Sequence, residues 1–184
     1  IGKAMSNLTI SSQNITHPED ENITFTVTGA GDIPTGNITI FINDTNGNVI
    51  YNDTIILNAS AQASITLPRL NATEYYINAK YNGDDNYLPD NETDVFHVDM
   101  AESFIGIGAQ NYTYNETGNI TITVPYIESG KISIIVSDDD FTQSYTVYIT
   151  EGTEEVKVEL PILDAGEYNI EAIFHGNNNY YPSQ

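Results

Sequence analysis

One 23-residue stretch occurs twice in this chain, and that repetition restricts the fold more than any other feature of the sequence. Residues 67–89 and 160–182 align without a gap at an offset of 93, and 12 of the 23 pairs are identical. Unrelated segments would share about one or two, so the chain is an internal repeat. In both copies a leucine, Leu70 or Leu163, precedes a tyrosine by five residues, Tyr75 or Tyr168. The tyrosine opens an alternating run: Tyr75, Ile77, Ala79 and Tyr81 in the first copy, Tyr168, Ile170, Ala172 and Phe174 in the second. A period of two puts these side chains on one face of a strand. Gly83 and Gly176 then supply a turn, and the next strand starts near Tyr87 or Tyr180.

The same period runs through the rest of the chain, and no helical stripe interrupts it. Leu8 and Ile10 are matched by Ile105 and Ile107, and Ile23, Phe25 and Val27 by Ile120, Ile122 and Val124. Ile38, Ile40 and Ile42 are matched by Ile132, Ile134 and Val136, and Ala63, Ile65 and Leu67 by Val156, Val158 and Leu160. Strands near 49–57 and 143–150 fall between these sets, and Phe96 and Val98 mark an inward face in a last strand of the first unit. Asp44-Thr45-Asn46-Gly47 and Ser137-Asp138-Asp139-Asp140 read as turns at equivalent places. Seven short strands per unit with turns between them predict an all-β chain: two tandem immunoglobulin-like Greek-key β-sandwiches, residues 1–98 and 99–184. A leucine, a small residue or glycine, and then a tyrosine entering a strand look like the tyrosine corner of such sandwiches. Tyr75 and Tyr168 are its expected members, with the ring inside and the hydroxyl on an upstream backbone group.

The second copy ends sooner after its hairpin than the first. The second sandwich is therefore expected to lack its last strand, with the parent chain continuing and a neighbouring segment filling the open edge that remains. Residues 97–103 contain neither glycine nor proline and read as a nearly continuous passage from one unit to the next.

Charge limits the function classes. Twenty-six acids against five bases give a net charge of −21, shared as −9 over residues 1–98 and −12 over 99–184. Such a field repels nucleic acid and anionic lipid, and no apolar run approaches the roughly 20 residues of a membrane helix. Nucleic-acid binding and membrane insertion by this segment are excluded on those grounds. Cysteine is absent, so each sandwich stands without a disulfide.

Asn-x-Ser/Thr is the densest local signal. It occurs at Asn7, Asn14, Asn22, Asn37, Asn43, Asn52, Asn58, Asn71, Asn91, Asn111, Asn115 and Asn119, whereas the 21 asparagines and 31 serines and threonines would give between three and four by chance. These are candidate N-glycosylation sites. Strand alternation alone generates some of them, as at Asn7, Asn14, Asn22, Asn37 and Asn119, where asparagine and threonine flank an inward residue. It does not generate Asn43, Asn52, Asn58, Asn71, Asn91 or Asn115, which fall near loops.

Other chemistry finds less support. Asp84-Asp85 with Asp90, Asp138-Asp139-Asp140, and the linker pair Asp99 and Glu102 are the acidic groupings. Calcium, which needs six to eight converging oxygens, is the one cofactor they leave open. The second repeat replaces Asp84-Asp85 with Asn177-Asn178, so turn formation is the better reading, and no metal ligand set is assigned. The three histidines, His17, His97 and His175, neighbour no nucleophile motif, and no catalytic residue is assigned. A lysine–asparagine crosslink would need an inward lysine, whereas Lys80 and Lys157 alternate with inward residues. Of the 13 tyrosines, Tyr76, Tyr112, Tyr114, Tyr126, Tyr148 and Tyr181 are left without a repeat-matched architectural role; grouped on one exposed face they would favour a binding surface.

Tyr81-Asn82-Gly83-Asp84-Asp85-Asn86-Tyr87 and Phe174-His175-Gly176-Asn177-Asn178-Asn179-Tyr180, with the Lys3-Ala4 start, resemble the bacterial immunoglobulin-like repeats of large surface proteins. The richness in asparagine, isoleucine and tyrosine is similar to that of adhesin-like surface proteins of methanogenic archaea. The second copy departs from the motif in lacking the aspartate and in starting from Phe174. The resemblance implies an extracellular, non-enzymatic segment that spaces or presents a binding region. Its implied partners are neighbouring repeats of the same chain. The alternative is a module whose loops and tyrosines hold glycans or proteins of another cell surface.

Overall fold

The computed structural model describes residues 1–184 as strands and turns without a helix. Two compact units separate at Ile1–Asp99 and Met100–Gln184. Each has its own apolar core.

In the first unit β1 (Ser6–Ser11), β3 (Glu21–Gly29) and β6 (Gln62–Leu67) form one sheet in the order β1-β3-β6. The facing sheet runs β2-β8-β7-β4-β5, built from β2 (Ile15–Thr16), β4 (Asn37–Asp44), β5 (Val49–Ile56), β7 (Glu74–Tyr81) and β8 (Asp90–Asp99). Alternation decides which residues meet between the sheets. Ile23, Phe25 and Val27 from one side and Ile38, Ile40, Ile42, Tyr75, Ile77 and Tyr81 from the other are all buried. Packing two inner faces of this kind is what makes a sandwich stable. The short β2, which sequence periodicity does not reveal, pairs parallel with β8 through Ile15–Val98 and Thr16–Asp99. Two residues are too few to show a period, and their partner lies some 80 positions away.

The second unit repeats this plan with β9 (Gly106–Ala109), β10 (Gly118–Thr123) and β13 (Glu155–Leu160) in one sheet. Opposite them, β11 (Gly130–Ser137), β12 (Thr142–Ile149) and β14 (Asn169–Phe174) are ordered β12-β11-β14. No strand follows β14. Its one ladder is with β11, and on the far side only Phe174 pairs, with Ser183. Residues 169–173 are thus paired on one side only, against the expectation that a neighbouring segment fills this edge.

Several inward assignments also change in the second unit. Ile107, expected inside, is 44% exposed, and Ile105 is half-buried where Leu8 is fully buried. Tyr168 stands just before β14 and is half-buried, whereas Tyr75 is 2% exposed. In the first unit β8 packs beside both β1 and β7; within residues 1–184 no strand takes that place in the second unit.

Candidate functional site

The hairpin after the corner tyrosine is the most densely bonded polar feature of each unit, and it begins with geometry that only glycine tolerates. Gly83 and Gly176 have φ of 80° and 77°. A Cβ there would lie 2.8 Å from the Tyr87 carbonyl oxygen or 2.9 Å from that of Tyr180. The next residue closes the turn. Asp84 Oδ1 accepts the backbone N–H groups of Asn86 (2.8 Å) and Tyr87 (2.7 Å), while Oδ2 accepts the Thr35 N–H (2.8 Å) and hydroxyl (3.1 Å). Lys3 Nζ donates to the Asp84 carbonyl. In the second unit Asn177 Oδ1 accepts from the N–H groups of Asn179 and Tyr180, both at 2.8 Å. Its amide Nδ2, however, donates to the Ser129 carbonyl at 2.7 Å. Ser129 is the repeat counterpart of Thr35, so aspartate stands where the facing group donates and asparagine where it accepts.

This pairing of polarities makes a reciprocal prediction. Asp84→Asn and Asn177→Asp each install the residue found in the other repeat, and each is expected to destabilise its own unit by about 1–2 kcal/mol. The first points an amide N–H at donors; the second points a carboxylate at a carbonyl. Chemical denaturation of the two variants checks it, and neutrality of both would remove the polarity argument.

The Asp84 carboxyl also has a pH signature. Burial opposes its ionisation, but the N–H groups of Thr35, Asn86 and Tyr87 and the Thr35 hydroxyl outweigh that and hold it at about 2, below the ordinary 3.8. Because the folded value is depressed, the stabilisation is fully present above about pH 4 and is lost as pH falls toward 2. Solvent screening at this partly exposed site keeps it near 1 kcal/mol. Stability of Asp84→Ala should accordingly fall less steeply than that of the parent chain between pH 4 and 2.

Tyrosines pin the surrounding strands. The Tyr75 hydroxyl donates to the Asn71 carbonyl at 2.9 Å, and the Tyr168 hydroxyl to the Asp164 carbonyl at 3.0 Å. Tyr81 donates to the Thr35 carbonyl at 2.7 Å; burial, together with the nearby Asp84 charge, pushes its phenol up to about 12. Tyr87 donates to the carbonyls of Ala30 and Asp32.

The sequons lie on the surface. Ten of the twelve asparagines are exposed, and Asn37 and Asn43 are half-buried. Asn43 Nδ2, the atom a glycan would take, donates to the Asp44 carbonyl at 3.0 Å. Asn58 Oδ1 instead caps a turn, accepting from the N–H groups of Ser60 and Gln62, which leaves Nδ2 out of that contact. In Asn14 and Asn22 the oxygen is likewise the engaged atom, accepting from the His97 N–H and the Thr66 hydroxyl.

The remaining candidates are dispersed. No group of three or more histidine, aspartate or glutamate side chains is arranged to hold a metal. Asp138 caps its own turn by accepting from the N–H groups of Asp140 and Phe141. His97 is exposed, with Nδ1 3.8 Å from Glu74, and His175 bonds to the Ser133 hydroxyl. Lys80 and Lys157 face outward. Tyr114, Tyr126, Tyr148 and Tyr181 are exposed on separate loops and strands.

The burial of two polar residues, His17 and Glu21, escaped the sequence reading. His17, 2% exposed, has Nδ1 2.8 Å from the Leu70 carbonyl. Glu21, 1% exposed, accepts the Gln13 N–H at 2.8 Å; burial chiefly, with the Asp94 charge, raises its carboxyl. Alternation could have found Glu21, which stands in phase with Ile23, Phe25 and Val27.

Residues 8–99 match the family model of the bacterial Ig-like domain (group 3). No curated protein matches the chain. Among solved structures, Escherichia coli alpha-2-macroglobulin activated by porcine elastase is similar over 98% of this chain and 21% of its own, at 10% identity and a TM-score of 0.45. Red sea bream transglutaminase is similar over 98% of this chain and 30% of its own, at 11% identity and a TM-score of 0.48. The chicken interferon gamma receptor alpha chain is similar over 96% of this chain and 93% of its own, at 13% identity and a TM-score of 0.38. The chain thus spans under a third of the first two.

Proposed function

The chain belongs to the bacterial Ig-like domain (group 3) family, and from that premise we propose that it is a spacer segment of a large adhesin-like cell-surface protein. The observation that carries this reading is the tandem repetition of one sandwich plan, with the same glycine-and-Asx hairpin closing both copies. Structural modules are built this way because each repeat carries its own core and adds length without new chemistry. A net charge of −21 keeps such segments apart at high surface density. Exposed sequons offer glycan attachment that would shield the loops. An extracellular setting, on a methanogenic archaeon, follows from this proposal.

Stretching the chain between surface tethers tests the spacer role. Two separate unfolding events are expected, each releasing a contour of roughly 300 Å for its 80–100 residues. A single event for the whole chain would refute it. A glycan and cell-surface binding screen distinguishes the other reading: specific capture by one sugar class would make this a binding module. Glycan occupancy makes a further prediction. In a glycosylating secretory host, exposed Asn52, Asn91 and Asn119 should be modified and Asn43 spared, as peptide mass mapping would show; modification of Asn43 ahead of them would overturn the assignment.

A further inference from the structure

Alternation along β4 turns one aromatic ring away from the core. Ile40 and Ile42 are fully buried between the sheets, and Phe41, out of phase with them, is half-buried on the outer face. Polar side chains surround it there: Thr39 and Asn43 along the strand, Asn78 opposite on β7 and Asn52 opposite on β5.

Asn52 is exposed and opens the sequon Asn52-Asp53-Thr54. Its direct pairing with Phe41 sets the two side chains next to each other on one face, with Cβ atoms about 4.5–5.5 Å apart. Thr54 of the same sequon lies on that face too, and its hydroxyl is bonded across to that of Thr39 at 3.1 Å. The other exposed sequon asparagines within the ladders face Thr28, Thr66, Lys80 or Glu159. Asn43 does stand opposite Tyr76, but it is half-buried and its Nδ2 is bonded to the Asp44 carbonyl. In the second unit both members of the Phe41–Asn52 pair change together. Ile135 takes the place of the ring, opposite Ser144, and Ser144-Tyr145-Thr146 is not a sequon.

We propose that the Phe41 ring is the platform on which the first sugar of a glycan on Asn52 lies. The inference rests on the glycan attachment proposed above and adds what that sugar does. A pyranose carries C–H groups on its faces, and their partly positive hydrogens suit the negative face of an aromatic ring. Stacking removes apolar surface of both partners from water, and the covalent link makes the effective concentration high. Asn78, on the far side of the ring, offers an amide to the hydroxyl or acetamido groups of the sugar. β5 is an end strand of its sheet. A glycan tied from β5 across to β4 braces that edge and blocks its pairing with another chain.

The test expresses the 184-residue chain in a secretory host whose linking sugar is N-acetylglucosamine, and again in a bacterial host that attaches none. Peptide mass mapping gives the occupancy of Asn52. Asn52→Gln should lower the melting midpoint of the first unit by about 4 °C or more in the glycosylated chain, and by less than about 1 °C in the bare one. Phe41→Ile installs the residue of the second unit and keeps a strand-forming side chain. In that background the glycan-dependent loss should shrink by about half or more. Nuclear Overhauser contacts between the Phe41 ring and the C–H protons of the linking sugar are expected in the glycosylated parent and absent in Asn52→Gln. An occupied Asn52 with equal losses in both backgrounds and no such contacts overturns the platform and leaves glycan attachment intact. An unmodified Asn52 overturns both.

Discussion

Gly29→Ala is expected to destabilise the first unit by about 3–5 kcal/mol, a large share of the roughly 5–15 kcal/mol that holds a domain of this size folded. Gly29 closes β3. An added Cβ would stand 2.1 Å from Tyr87 Cε1 and 2.6 Å from Cζ. The ring cannot retreat cheaply, because Tyr87 is 2% exposed and its hydroxyl donates to the carbonyls of Asp32 at 2.6 Å and Ala30 at 3.1 Å. Overpacking alone costs about 1–3 kcal/mol, and displacing the ring adds about 1 kcal/mol for each hydrogen bond broken. The backbone at Gly29 is not in the left-handed region, so the effect isolates the steric term. Denaturant titration of Gly29→Ala in the parent and in a Tyr87→Ala background measures it. The substitution should be nearly neutral once the ring is gone. A mild effect in the parent, or an equal one in both backgrounds, would show that Tyr87 is not the obstacle.

Tyr75→Ala should cost the first unit a further 3–5 kcal/mol, the range for deleting a buried aromatic ring. Its melting midpoint should fall by more than about 15 °C. The ring is buried against Phe96, and the hydroxyl satisfies the Asn71 carbonyl. Tyr75→Phe keeps the stack and loses only the hydrogen bond, so about 1 kcal/mol is expected. The same pair of substitutions at Tyr168 should give smaller losses. That ring is half-buried, and its partner is Phe141, edge-on at 5.9 Å, in place of a stacked strand residue. Calorimetry of the four variants decides the matter. Equal losses at Tyr75 and Tyr168 would mean that β8 contributes little to holding the corner.

The contrast between these two tyrosines also shows how far the sequence could be read. Both appear in it as the same residue in the same motif, at an offset of 93. Nothing local records that one ring is roofed by a strand twenty residues later in the chain and the other is not. The hairpin residues behave similarly. Gly83 and Gly176 are legible as turn residues because backbone sterics are local. That Asp84 faces two donors while Asn177 faces an acceptor depends on Thr35 and Ser129, nearly fifty residues upstream.

Alternation with a period of two, repeated in two copies, was enough to specify an all-β chain of immunoglobulin-like sandwiches and to name most of the side chains that form the two cores. It could do so because pleating and burial act through near neighbours, and their imprint is written into adjacent positions. Tertiary structure alone decided which strands lie side by side, that Ile15–Thr16 joins β8, and that Ile107 is left uncovered. Those outcomes depend on which distant segment is present to bury a surface or satisfy a backbone edge, and a local pattern carries no record of its partner.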